Sequence, residues 1–355
     1  MGLKILHSAD WHLDSPFAAF REDRRAFLKQ AQLQIPGKIS LICRQNHCDL
    51  MLLAGDIFDG AWSRDTLQLL KDALEEAKVP VMISPGNHDP WGPGSPWMES
   101  FSSNVHVFQP EISSVVLKDL DCRVYGAGFA RMDCRSLLKG FHAEGNEQWQ
   151  IGVFHGDPTN VGSPYNPVTS AQIRESGLHY LALGHVHSAG GLEVENTVCG
   201  WPGCPMGRGW DETGLKGCLI ADLQDQVRMQ TVDLGLPGFF QETLTLNSQG
   251  EADFDLVLPP VGNRNFYRIT LEGYGKVELS KLYDRFSDFP NLELRDETVD
   301  PDRLWSRVGE DSLPGAYFGK LKASADQAEP ELQQKILLAA EISQKLLEGR
   351  EVQLP

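Results

Sequence analysis

Five short clusters of histidine, aspartate and asparagine each stand directly behind a short, mostly apolar run, and this spacing constrains the chain more than any other feature. They read Asp10-Trp11-His12, Gly55-Asp56-Ile57-Phe58-Asp59, Gly86-Asn87-His88-Asp89, His155-Gly156-Asp157 and Gly184-His185-Val186-His187. The runs before them, residues 3–8, 50–54, 79–84, 150–154 and 180–183, have the length and composition of buried sheet strands. Helical patterns lie between them at 21–46, 66–78 and 171–176, with Pro36-Gly37 expected to divide the first. Strands alternating with helices predict an α/β domain. The clusters then share the carboxyl ends of strands, where open α/β sheets hold their sites. Further strands are expected at 113–117, 123–126, 217–222 and 227–233. The hairpin around Leu223 and Val227 suggests a second sheet packed on the first.

One such cluster alone reads as a solvated turn. Together they gather five of the chain's ten histidines, five aspartates and one asparagine. A mixed imidazole, carboxylate and carboxamide set suits manganese, iron or zinc and does not suit a thiolate site. The expected centre is dinuclear and takes Asp10, His12, Asp56, Asn87, His155, His185 and His187. On extended backbone, Asp10 and His12 face one side because the period is two, and so do His185 and His187. One carboxylate has to bridge the ions, and Asp56 is the natural bridge. Two divalent ions bring four positive charges; Asp10, Asp56 and a shared hydroxide remove three. The remaining charge favours a phosphate ester. His88 is the candidate general acid, with Asp89 expected to orient its ring. Asp59 and Asp157 are expected in similar supporting places.

The set closely resembles the signature of the calcineurin-like metallophosphoesterases: Asp-x-His, Gly-Asp-x-x-Asp, Gly-Asn-His-Asp, His, and Gly-His-x-His, in that order over about residues 1–235. The resemblance implies a two-sheet α-β-β-α sandwich. It also implies one metal on Asp10, His12, Asp56 and His187 and another on Asp56, Asn87, His155 and His185. A narrower likeness lies in His7-Ser-Ala-Asp-Trp-His-Leu-Asp-Ser-Pro-Phe17, in Tyr180-Leu-Ala-Leu-Gly-His-Val-His187 and in the Gly-rich stretch Gly203–Cys218. These segments resemble bacterial DNA repair exonucleases of the SbcD and YhaO types. That likeness implies two Mn²⁺ ions, DNA as substrate, an SMC-like ATPase partner, a small capping domain, and a homodimer.

Leu236-Pro237-Gly238 marks a boundary, so the expected domains are 1–238, catalytic, and 239–355, a small α+β capping or partner-docking module. In the second, residues 266–271, 277–286 and 292–294 read as strand, helix and strand. Residues 330–348 read as one helix with Leu332, Ile336, Ala339, Ala340, Ser343, Leu346 and Leu347 along a stripe. That stripe is read as core packing, with ATPase docking as the other reading. The net charge of −17 argues against a protein that coats DNA by itself. The seven cysteines form no CxxC pair and read as buried free thiols of a reducing compartment. No run reaches about 18 apolar residues, so the expectation is a cytoplasmic protein without a membrane span. Arg21, Arg24, Arg25, Arg131, Arg135 and Arg208 are read as solvated, with phosphate contact as the alternative. Trp91, Trp97, Trp201 and Trp210 fit stacking on bases or capping the sheet end equally well. The competing functions are a phosphomonoesterase or cyclic-nucleotide phosphodiesterase, which the same centre would serve, and a regulatory subunit of an ATPase.

Overall fold

The N-terminal apolar run forms strand β1 (Leu3–Ser8), which pairs in parallel with β2 (Leu50–Leu53). The sheet continues in parallel through β3 (Val81–Ile83) and β4 (Val105–Val107). Parallel neighbours need crossovers, and helices supply them: α1 (Glu22–Gln32) and α2 (Ile35–Gln45) after β1, and α3 (Arg64–Glu76) after β2. The break in the long helical pattern falls at Leu33-Gln34 and not at Pro36-Gly37. Pro36 sits in the first turn of α2, where a missing N–H costs nothing. This is a computed structural model; it describes residues 2–246 and 264–349, which divide into two compact units, Met1–Phe239 and Phe240–Pro355.

A second sheet in the first unit uses β5 (Ser113–Leu117), β6 (Cys122–Ala127), β7 (Trp149–His155), β8 (Tyr180–Gly184), β9 (Gly190–Val194) and β10 (Thr197–Trp201). Its order is β5-β6-β7-β8-β10-β9. Helix α4 (Ser170–Glu175), opened by a Thr169–Gln172 capping box, packs Ile173 with Phe154, Leu181 and Leu183 on one face of it. The late hairpin, β11 (Gly217–Leu223) and β12 (Val227–Asp233), does not build this sheet. It returns to the first one, with β11 antiparallel to β1. The expectation failed there because a hairpin fixes its own pairing but not the sheet whose edge it joins. The core between the sheets is formed by Leu3, Ile5, Leu50, Leu52 and Met82 against Val124, Ile151, Val153, Tyr180 and Ala182, all buried. The two-sheet α/β architecture expected from the sequence is what the chain adopts.

His7 lies on the same face of β1 as Leu3 and Ile5 and is fully buried between the sheets. Its Nε2–H donates to Leu183 O at 3.0 Å, and its Nδ1 accepts from the Tyr180 hydroxyl at 2.9 Å. Burial lowers its pKa to about 3, although the Leu183 carbonyl opposes the shift. The unfolded chain therefore binds a proton on this ring near pH 6.5 that the folded chain refuses. Its contribution is complete above pH 6.5 and is lost as pH falls toward 3, at up to about 1.4 kcal/mol per pH unit. Urea unfolding at pH 5 and pH 7 should show a smaller acid destabilisation in His7→Gln than in the unmodified chain. Equal pH slopes would remove His7 from the account.

In the second unit, β13 (Phe239–Leu246), β14 (Phe266–Gly273) and β15 (Leu292–Asp296) form a three-stranded sheet. β14 and β15 are parallel, and α5 (Leu279–Arg285) joins them as the β-α-β pattern predicted. Three helices follow, α6 (Pro301–Leu304), α7 (Leu313–Ala325) and α8 (Pro330–Leu347). The sequence reading missed α7, whose Pro314, Gly315 and Gly319 are poor helix signals. The buried positions of α8 are Leu337 and Ala340, packed with Leu304 and Phe318. Leu332, Leu346 and Leu347 of the expected stripe are exposed. Among the described residues no helix is long and apolar enough to cross a membrane.

Candidate metal centre

All five clusters occupy carboxyl ends of strands, on β1, β2 and β3 of one sheet and β7 and β8 of the other. His155 still belongs to β7, but at four of the seven positions the backbone is not extended. Asp10, His12, Asp56 and His185 have φ of 55°, 47°, 53° and 86°. L-residues there cost about 1–2 kcal/mol each. Strand alternation is therefore not what brings Asp10 beside His12 or His185 beside His187. Cross-loop bonds hold the shape instead: Asp10 N–H donates to Gly55 O at 3.0 Å, His12 N–H to Asp56 O at 3.0 Å and Leu13 N–H to Ile57 O at 2.8 Å. His185 N–H donates to both Asp10 oxygens, at 2.9 and 3.1 Å, which links the sheets. The glycines let these loops close. A Cβ on Gly86 would lie 2.2 Å from Asp56 Oδ1, and one on Gly184 2.1 Å from Ala54 O.

The structure brings the seven expected ligands together. Groups within 4.8 Å of one another are Asp10, His12 and His187; Asp10, Asp56 and His155; and His12, Asp56 and His88. Asn87 Oδ1 joins them 2.8 Å from His155 Nε2 and 3.3 Å from His185 Nδ1. Asp10, His12, Asp56, Asn87 and His155 are all buried.

The tautomers show what this cluster is built to hold. His12 Nδ1–H donates to Asp59 Oδ1 at 3.0 Å, His187 Nδ1–H to Glu212 Oε1 at 2.7 Å, and His155 Nδ1–H to Ala54 O at 2.8 Å. Each Nε2 then turns a lone pair inward. Those of His12 and His187 lie 3.2 Å apart, and that of His155 faces Asn87 Oδ1 and, at 3.4 Å, Asp56 Oδ2. Acceptors converging on acceptors require a cation between them, a metal ion or a proton. The pKa shifts agree. Burial opposes charge on His155 and His187, but Asp56 holds the first up at about 9 and Glu212 raises the second. Burial also works against the Asp56 carboxylate, and the neighbouring His155, His12 and His88 together outweigh it and lower the pKa.

The calcineurin-like phosphoesterase profile matches residues 3–189, more than half of the chain. The chain belongs to that family. Among curated relatives, the uncharacterized metallophosphoesterase YhaO of Bacillus subtilis is 33% identical over 232 residues, covering 61% of this chain and 56% of that one. The SbcD component of the SbcCD nuclease of Staphylococcus epidermidis is 31% identical over 261 residues, 63% of this chain and 67% of the relative. The chain thus spans little more than half of the first relative's length. Among solved structures, a dimetal phosphatase from Danio rerio matches with a TM-score of 0.43 and 11% identity, over 65% of this chain and 96% of that one.

In this calcineurin-like phosphoesterase Asp59 takes a supporting place as the sequence suggested, but Asp89 does not. Asp89 does not take the expected place beside the His88 ring. Its buried carboxylate accepts from the N–H groups of Asp56, Ile57, Phe58 and Gly86, at 3.2, 2.7, 3.1 and 2.7 Å, and ties two site loops together. Asp59 stands by His88, Oδ1 to Nδ1 at 3.3 Å, and also holds His12 and accepts from Ser15. The hydrogen bond to Asp59 raises the His88 pKa. Asp157 braces its own loop through Thr159 and Asn160. Trp97 is buried and donates to Asp89 O at 2.6 Å, so it caps the sheet end and is no stacking platform. The sequence reading missed Glu212 and took Arg208 for a solvated residue; the two form an ion pair behind His187, with Glu212 buried and Arg208 half-buried. Their signal was the Gly-rich stretch Gly203–Cys218, which holds both.

Proposed function

We propose that this chain is a dinuclear metal-dependent phosphodiesterase that degrades DNA as the nuclease component of an SMC-like ATPase assembly. The inward convergence of ring nitrogens and carboxyl oxygens carries the metal part of this reading. The nuclease part is supported by the 31% identity to the SbcD component of the SbcCD nuclease. One ion would be held by Asp10, His12, Asp56 and His187, and the other by Asp56, Asn87, His155 and His185. A mixed nitrogen and oxygen set without thiolate suits manganese, with iron or zinc as alternatives. Such a pair of ions would neutralise phosphoryl oxygens and acidify a water. Residues 240–355 would serve as the capping and partner-docking module.

The chain's own residues then do the rest. Asp10 and Asp56 set the charge of the floor. Asp59, Glu212 and the Ala54 carbonyl fix the three ring tautomers. His88, 41% exposed at the rim, carries a proton stabilised by Asp59 and gives it to the departing ester oxygen.

Manganese-loaded protein should cleave single- or double-stranded DNA and a phosphodiester model substrate, and leave phosphomonoesters intact. His88→Ala should lower kcat by roughly 10²–10⁴-fold with unchanged manganese content. Cleavage of monoesters alone would exclude the nuclease reading. Undiminished DNA cleavage by His88→Ala would exclude the acid role.

A further inference from the structure

Arg208 is tethered to Glu212 through both its main chain and its guanidinium. Its side chain is 23% exposed, and Glu212 is buried. Arg208 N–H donates to Glu212 Oε2 at 2.7 Å, and Nη2 and Nε donate to Oε1 at 2.8 and 3.2 Å. Nη2 also lies 3.3 Å from His187 Nδ1. The Nη1 amino group is left. Among the described residues its near neighbour is Asp59 Oδ1 at 3.7 Å, beyond hydrogen-bond reach. The Asp59 oxygens are already engaged by His12, His88 and Ser15.

We propose that Arg208 binds the phosphate group of the substrate directly, through the Nη1 edge that Glu212 leaves unused. This rests on reading the adjoining residues as a phosphoester-cleaving centre. A guanidinium presents five donors in a rigid plane that matches phosphate oxygens. The Nε–Nη2 edge faces Glu212, while Nη1 lies 3.7 Å from the Asp59 oxygen that also meets His12 and His88. Its side-chain freedom is already lost before a ligand arrives, so binding does not bear that cost again. The position also answers the overall charge of −17, because an anionic ester needs a local cation in an acidic chain.

The alternative role is that of a counter-ion which only steadies Glu212 and, through it, His187. The two roles separate in solution. Inorganic phosphate is titrated calorimetrically into the full-length, manganese-loaded chain, and hydrolysis of bis(p-nitrophenyl) phosphate and manganese content are measured on the same samples. The variants are Arg208→Lys and the double variant Arg208→Ala with Glu212→Gln. The double variant avoids a buried carboxylate without its partner and keeps an acceptor for His187 Nδ1. Phosphate affinity should fall by about tenfold or more in the double variant and by less in Arg208→Lys, with KM raised and manganese content unchanged. Unchanged phosphate affinity overturns the proposal, as does a fall that merely follows loss of manganese. Should the double variant not fold, Arg208→Lys decides by the same measurement. A wild-type chain that binds phosphate through Arg208 but cleaves no ester would overturn the proposed function and leave this inference standing. A cleaving chain whose phosphate affinity ignores Arg208 would do the reverse.

Discussion

Asp56→Asn should abolish cooperative loading of two ions and lower phosphodiester cleavage by more than about 100-fold, the upper range for residues that only orient a ligand. The side chain stands in two of the three convergent groups, so its charge is used twice. Asn keeps an oxygen for the His88 N–H, which now donates to Asp56 Oδ1 at 2.8 Å, and the loop should keep its shape. The fold should therefore survive. The melting temperature of the unmodified chain should rise with manganese, because a ligand that binds only the folded state stabilises it. That of Asp56→Asn should rise far less. Full metal content in the variant, by elemental analysis, would take Asp56 out of the centre.

Asp89→Ala should be the most destabilising single change among the cluster residues. It strands four buried N–H donors on two loops, those of residues 56, 57, 58 and 86. An unsatisfied buried donor costs about 1–3 kcal/mol, and these are neighbours whose costs do not simply add. A loss on the order of 4 kcal/mol is expected, or roughly 10 °C in melting temperature. Asp89→Asn should lose less, since its oxygen still accepts from part of the set. Activity should fall with both because Asp56 loses its frame. A melting curve unchanged by Asp89→Ala would show that water can replace the carboxylate.

The sheet core and the seven converging residues were legible because both depend on local signals. Apolar runs such as 50–53 bury on two faces, and donor residues follow them within a few positions. The support around them was legible only in part: Asp59 was expected to support the site, but which rings it and Glu212 hold is settled across distance. Asp59 serves His12 from 47 positions away, and Glu212 serves His187 from 25. Asp89, adjacent to His88 in sequence, points elsewhere, so adjacency was the wrong guide. The placing of β11 beside β1 depends on which edge is open, and periodicity is silent on that. The stripe on α8 held only in part for the same reason: Ala340, which it included, and Leu337, which it did not, are buried because α6 and α7 cover that side, and α7 left no clear trace in the sequence.

The left-handed backbone at Asp10, His12, Asp56 and His185 bears on how such a chain can drift over generations. Asparagine and glycine tolerate that conformation, and alanine and branched residues do not. A lineage that abandons catalysis can therefore discard the ligands at these positions without collapse only through a narrow set of replacements. Asn or Gly at such positions in a homologue would be the footprint of a retired enzyme whose scaffold is still in use, whereas bulkier replacements would mark loops that had already been rebuilt.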